Sequence, residues 1–147
     1  MKVVIPAEQW FGSVGSDDRM VSTEAVVEAG REILSAVYCC FLESLGWAER
    51  WPFETHSMQH QNEAELLRKW LRGLVRDPTG SECEPVYFAV NRDQLELMRM
   101  AVVDTLRGLD GWEGELHART GLFVADGEAL VEQIAVIEAQ LTSSEGT

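Results

Sequence analysis

A wide stripe of apolar residues that repeats at helical spacing between residues 24 and 46 is the strongest folding signal in this chain. Two adjacent lines on the helix surface contain Val26, Ile33, Val37, Phe41 and Leu45, and Val27, Leu34, Tyr38 and Leu42. A stripe of this width is typical of a helix at the centre of a packed domain, because a surface helix needs a narrower apolar face. We therefore predict a central helix that is capped at Ser22 or Thr23 and ends at Gly46.

The remaining apolar periodicity predicts further helices joined by short connectors. Their predicted ranges are Thr55 or Asn62 to Leu74, Asn91 or Asp93 to Leu109, Glu115 to Arg119, and Asp126 to Leu141. Residues with capping chemistry stand at the predicted starts of the longer helices, and turn residues follow the first of them. The chain is thus predicted to contain four to five helices.

Two short runs rich in β-branched and aromatic residues are predicted as strands. They are Lys2–Ile5 and Pro85–Val90, and we expect them to pair with each other. The predicted fold is a single compact domain over residues 1–147, mainly α, of all-α or α+β class, with a minor short strand pair. Residues 1–21 would form an arm or strand and a loop, and residues 142–147 a frayed tail.

The chain carries a large excess of negative charge. It has 25 acidic and 12 basic residues, which gives a formal net charge of −13 over 147 residues. Because apolar residues make up 46% of the sequence, this charge is expected on the surface of a folded domain. A field of this sign repels nucleic-acid backbones and anionic membranes, and it attracts basic protein surfaces. The composition therefore argues against direct binding to nucleic acid or to a membrane.

The three cysteines do not form the pattern of a disulfide framework. Their number is odd, and Cys39 and Cys40 are adjacent on the predicted central helix, where their side chains point in different directions. The N-terminal sequence also lacks the long apolar run of a signal peptide. We therefore expect a cytoplasmic protein whose thiols are structural.

His56, His60 and Glu63 form a candidate metal site. If the second helix begins near Thr55, the three side chains share one face and could bind a divalent metal ion. The alternative is that both histidines are solvated or cap the helix. A zinc peptidase would need a glutamate directly after the first histidine, and Ser57 stands there. A metal-dependent enzyme is one hypothesis; apart from it, the sequence indicates no catalytic residue and no cofactor.

Acidic residues dominate the last part of the chain, after Trp112. Residues 113–141 contain six acidic residues and one arginine, so the helix–turn–helix outline of this segment would meet phosphates with the wrong sign. The predicted partner-binding set combines five of these carboxylates with three tryptophans of the connectors: Glu113, Glu115, Glu128, Glu132, Glu138, Trp47, Trp51 and Trp112. The three tryptophans either plug the end of the core or project as binding anchors, whereas Trp70 is expected in the core.

One basic cluster lies on the second helix and contains Arg68, Lys69, Arg72 and Arg76. Its first interpretation is a solvated face that balances acidic neighbours. Its second interpretation is a patch that docks an acidic partner, which includes a second copy of this chain.

These observations favour a small acidic protein-binding module that occupies a basic site on another protein. The chain is similar in general character to inhibitors and immunity proteins, which are small, acidic and compact. Electrostatic steering would bring it to its partner, and tryptophan anchors would set the rate of dissociation. The alternative is a helical domain of unknown role, with a homodimer as one option, whose acidity serves only solubility.

Overall fold

The structure is a computed structural model that describes residues 2–5, 24–46, 61–76 and 85–145. In chain order its elements are β1 (Lys2–Ile5), β2 (Glu24–Ala29), α1 (Arg31–Gly46), α2 (Gln61–Val75), β3 (Val86–Asn91), α3 (Arg92–Gly108), α4 (Glu113–Thr120) and α5 (Val124–Glu145). Helices dominate these residues and the sheet is small, which confirms the predicted mainly α fold. Helix α5 ends at Glu145, so it continues into the segment predicted as a tail.

The three strands form one antiparallel sheet with β2 in the middle. Strand β2 pairs with β1, where Val27 lies opposite Val3, and with β3, where Val27 lies opposite Phe88. The predicted pairing of β1 with β3 is therefore wrong, because β2 lies between them. Val27, in the middle strand, is completely buried.

Residues 24–29 form a strand, although the apolar stripe predicts that they begin the central helix. Val26 and Val27 are β-branched and both are buried, as in a strand that is covered on its two faces. Gly30 separates this strand from α1, and the N–H of Leu34 donates to the Gly30 carbonyl at 3.1 Å. The predicted central helix therefore begins only at Arg31. Pairing with the neighbouring strands determines the structure of the residues before Gly30. The predicted caps Ser22 and Thr23 lie outside the described residues.

Helix α1 occupies the centre of the helical layer and packs against α2 and α3. The packed core includes Phe41 of α1, Leu71 of α2 and Met98 of α3, all completely buried. Helix α5 packs along α3 in the opposite direction, because Arg99 meets Glu138 toward one end and Leu106 approaches Gly127 toward the other. Within the described part of the chain, no helix is both long and apolar enough to cross a membrane.

Buried polar groups join α1 to α3. The Ser44 hydroxyl donates to Asp104 Oδ2 at 3.0 Å, and the Thr105 hydroxyl donates to the Cys40 carbonyl at 3.2 Å. Burial raises the pKa of the Cys40 thiol to about 12, while a hydrogen bond with Thr105 opposes that increase. Cys39 and Cys40 are both free thiols, and Cys40 is buried, as predicted for structural cysteines.

Helix ends follow the local capping chemistry. Asn91 caps α3 in a capping box with Gln94, as one of the two predicted alternatives proposed, and Gly121 ends α4 in the left-handed conformation at φ +80°. Helix α5 begins at Val124, two residues before the predicted cap Asp126. The Phe123 N–H donates to Asp126 Oδ2 at 3.2 Å, so this carboxylate caps the helix from inside its first turn.

Candidate functional site

The five carboxylates of the predicted acidic face have different environments. Glu138 is half-buried and accepts from Arg99 Nε at 2.6 Å, and Glu115 accepts from Arg119 at 3.0 Å. Glu113 accepts from the Val124 N–H at 3.2 Å and so satisfies a backbone donor at the start of α5. The Glu138 bond joins α3 to α5, the Glu113 bond joins α4 to α5, and the Glu115 bond lies within α4. These interactions leave less of the three carboxylates for a partner.

Glu128 and Glu132 differ from the other three, because both are exposed and neither forms a hydrogen bond or ion pair within the described part of the chain. They lie four residues apart on α5 and therefore share one side of that helix. Two negative charges at this spacing repel each other, so the pair lowers the stability of α5 slightly. Carboxylates of this kind remain available for a ligand.

Glu128 borders a groove of about 450 Å³ between α3 and α5. We call it the α3–α5 groove; its lining residues are Val103, Leu106, Arg107, Asp110, Glu128 and Val131. Three of them are apolar, two are carboxylates and one is an arginine. The groove therefore joins an apolar surface to a small excess of negative charge.

A tight turn after α3 presents the second carboxylate of the groove together with a large aromatic side chain. The turn is closed by the Trp112 N–H, which donates to the Leu109 carbonyl at 2.9 Å, and Gly111 adopts the positive φ of +81° that the turn requires. Leu109 is buried beneath it, and this anchors the turn. Asp110 is exposed, and Trp112 keeps 65% of its side chain accessible to solvent.

Asp110 and the apolar lining of the groove escaped the sequence analysis. Asp110 stands alone in a glycine-flanked turn, so its only signal is a carboxylate at a break in the chain. Val103, Leu106 and Val131 have the spacing of ordinary core positions, and only the packing of α5 on α3 shows that they border a groove.

The tryptophans separate into core and surface positions. Trp70 is half-buried against the core and meets Phe88 edge to face, with ring centroids 5.5 Å apart, as the helix pattern predicts. Of the two tryptophans that the structure describes, Trp112 is the exposed residue. Trp47 and Trp51 lie outside the described residues, so their role as binding anchors stays a prediction.

The basic cluster of α2 is partly used inside the fold. The Arg68 guanidinium donates to Glu65 at 2.9 and 3.1 Å and to the Tyr38 hydroxyl at 3.4 Å. The bond to Glu65 is the main cause of its raised pKa. Lys69, Arg72 and Arg76 are exposed. Arg68 thus balances an acidic neighbour, as the first interpretation of this cluster proposed.

The candidate metal site falls mostly outside the described residues. Glu63 is exposed in the first turn of α2, whereas the structure does not describe His56 or His60. Among the residues that it does describe, no group of three or more His, Cys, Asp or Glu side chains could hold a metal ion. The metal site therefore stays a prediction from sequence.

Comparisons with known proteins give no match for this chain among protein-family models, curated proteins or solved structures.

Proposed function

We propose that this chain is a small acidic protein-binding module, of the inhibitor or immunity type, that occupies a basic site on a partner protein. The observation that carries the proposal is the α3–α5 groove, in which two carboxylates border an apolar surface. The exposed Trp112 belongs to the same turn as one of them, Asp110.

The chemistry of the groove suits a lysine or arginine side chain of the partner. Such a side chain has an apolar stem and a charged end. The stem would lie along Val103, Leu106 and Val131, and the charged end would reach Asp110 and Glu128. Arg107 in the same lining repels a cation, so the partner's charged end is expected on the side of the groove away from Arg107.

The long-range field of the protein supports association with a basic surface. A net charge of −13 attracts a positive partner before contact, and Glu128 and Glu132 concentrate part of this charge beside the groove. Charges at the rim of an interface mainly change the rate of association, whereas a buried aromatic anchor mainly changes the rate of dissociation. The two groups of residues therefore predict different kinetic effects.

Affinity capture from the host cell tests the proposal when three forms of the protein are compared. The test variant is Glu128→Gln/Glu132→Gln, and the matched control is Glu63→Gln/Asp93→Asn, which removes the same charge from the first turns of α2 and α3. We expect one basic protein to be retained by the wild type and the control and to be lost from the test variant. An equal loss of the partner from both variants would show that only net charge matters, and undiminished retention by both would show that Glu128 and Glu132 do not bind it. Either result would contradict a specific site at these carboxylates.

Stopped-flow association with the captured partner then separates steering from anchoring. Between about 0.05 and 0.5 M ionic strength we expect the wild-type association rate to fall steeply, because the Debye length shrinks. Trp112→Ala is expected to keep the association rate and to raise the dissociation rate about tenfold or more, as loss of a central aromatic anchor does. An association rate that is insensitive to salt would count against the proposal.

We place this function in the cytoplasm. The support is chemical: Cys39 and Cys40 are free thiols, and burial raises the pKa of both. Free thiols are the common state of cysteine in a reducing compartment.

A further inference from the structure

A second and larger groove lies on the opposite side of α5. It has a volume of about 1000 Å³, and it is bordered by the start of α1, the end of α2, and the α4–α5 turn with the first half of α5. Its charged lining residues are Arg31, Glu32, Arg76 and Asp126, and Ile33 and Val75 are among its apolar ones. We call it the α1–α5 groove. The proposed partner-binding function does not use it.

Two arginines border this groove, and neither has a carboxylate partner within the part of the chain that the structure describes. Arg31 Nη1 donates to the Val75 carbonyl at 2.9 Å, and its buried Nε has no hydrogen-bond partner in the described ranges. Arg76 is exposed and forms no ion pair among the described residues. In contrast, Arg68, Arg99 and Arg119 each pair with a glutamate. Two guanidinium groups that form no ion pair with a described residue are unexpected beside one groove in a chain with 25 acidic residues.

The two acidic residues of the lining are associated with helix N-termini. Asp126 accepts from the Phe123 N–H at the start of α5, and Glu32 lies in the first turn of α1. The positive ends of the helix dipoles favour both charges. The carboxylates therefore do not neutralise the arginines by contact, but their fields still oppose a ligand with more than one negative charge.

The rest of the lining is partly apolar. Ile33 and Val75 are half-buried, and Ala36, Leu122 and Leu130 lie beneath them in the core. A ligand in this groove would therefore meet guanidinium donors in one part and aliphatic side chains in another. A planar carboxylate suits guanidinium geometry, because its two oxygens can accept two parallel hydrogen bonds.

We propose that the α1–α5 groove binds a small amphiphilic carboxylate, whose anionic end contacts Arg31 and Arg76 and whose aliphatic part lies against Ile33 and Val75. A single negative charge is favoured over the double charge of phosphate, because Glu32 and Asp126 repel the second charge.

Isothermal titration with octanoate, octanol and inorganic phosphate tests this site on the full chain. Octanoate is expected to bind about tenfold or more tightly than either octanol, which lacks the charge, or phosphate, which lacks the aliphatic part. Arg76→Gln is expected to weaken octanoate binding about tenfold. Arg72→Gln, four residues earlier in the last turn of α2 and outside the groove, is expected to change it less than about twofold.

A variant with the opposite sign makes the test stricter. Glu32→Gln removes a repelling charge and is expected to tighten octanoate binding by about two- to threefold. Because Arg76 and Glu32 are both exposed, neither substitution should disturb folding, and circular dichroism checks this. The proposal is overturned if octanoate does not bind, if phosphate or octanol binds as tightly, or if Arg76→Gln and Arg72→Gln have the same effect.

Discussion

The two grooves beside α5 differ in the sign of the charged groups that form no ion pair among the described residues. The α3–α5 groove has Asp110 and Glu128 at its edge, whereas the α1–α5 groove has Arg31 and Arg76. Each groove also contains residues of the opposite charge: Arg107 in the α3–α5 groove, and Glu32 and Asp126 in the α1–α5 groove. Arg107 is a single cation facing two carboxylates, and the acidic residues of the other groove are associated with helix N-termini. One helix thus separates two surfaces that would attract ligands of opposite charge.

This difference means that the net charge of −13 does not describe the local charge around each groove. Helical spacing produces the separation, since Glu128 and Val131 lie toward α3 while Asp126, Ala129 and Gln133 lie toward α1. A global acidic character can therefore coexist with a local site for an anion.

The largest expected effect concerns the helix that both grooves share. Ile134 is completely buried on α5, and Ile134→Ala is expected to lower the free energy of unfolding by about 2–5 kcal/mol, because it leaves a cavity in the core. Val136→Ala, on the exposed side of the same helix, should change it by less than about 0.5 kcal/mol. Urea denaturation measures both. Equal effects would mean that α5 is not packed as described.

The dependence of stability on alkaline pH tests the core, through the buried Cys40 thiol, independently of both grooves. The raised pKa of Cys40 means that its thiol ionises near pH 9 in the unfolded chain but only near pH 12 in the folded protein. The unfolded state therefore loses the proton first, and stability should fall between pH 9 and 12 with a slope of up to about 1.4 kcal/mol per pH unit. Cys40→Ala should remove this part of the pH dependence. An unchanged slope would place Cys40 outside the core.

Paired and unpaired arginines should also differ in their effect on stability. Arg99→Gln removes the two hydrogen bonds that Arg99 donates to half-buried Glu138, at 2.6 and 3.3 Å, and should cost about 1–2 kcal/mol. Arg76→Gln breaks no interaction among the described residues and should cost less than about 0.5 kcal/mol. Thermal unfolding of the two variants gives the comparison. Similar losses would show that Arg76 is structural and not free for a ligand.

The smallest expected effect is a change in stability that is positive in the test variant and negative in its control. Glu128→Gln/Glu132→Gln removes a repulsive pair and should raise stability by about 0.2–0.5 kcal/mol. Glu63→Gln/Asp93→Asn removes charges that the N-terminal ends of α2 and α3 favour, and should lower stability by about 0.3–1 kcal/mol. A loss of stability in the first variant would mean that its carboxylates already have partners in the fold.

Much of the helical part of the fold was predictable from local signals. Asn91 with Gln94, Gly121 and the apolar spacing of α3 and α5 each act over a few residues, so the chain itself contains the information. The strand at residues 24–29 was not predictable in this way. Val26 and Val27 fit a helical stripe equally well, and only pairing with β1 and β3 decides between the two structures.

The candidate sites were less predictable than the fold. The sequence indicated an acidic C-terminal region, but not that Glu138 pairs with Arg99 of α3 or that Glu113 accepts from the start of α5, because those partners lie on other elements. The pair of Glu115 with Arg119, four residues apart on α4, is the one that local spacing could have indicated. The sequence likewise offered no reason to group Arg31 with Arg76, which are far apart in the chain and meet only at the α1–α5 groove. Which charges remain free is a property of tertiary structure.

Chemical-shift mapping of backbone amides tests the separation of the two surfaces most directly, with a lysine-rich peptide and octanoate titrated separately into the same protein. The peptide should shift the amides around Asp110, Trp112, Glu128 and Glu132. Octanoate should shift those around Arg31, Arg76 and Gln133, with little overlap between the two sets. If both ligands shift the same amides, or if the peptide shifts acidic residues over the whole surface, the two sides of α5 are not distinct sites.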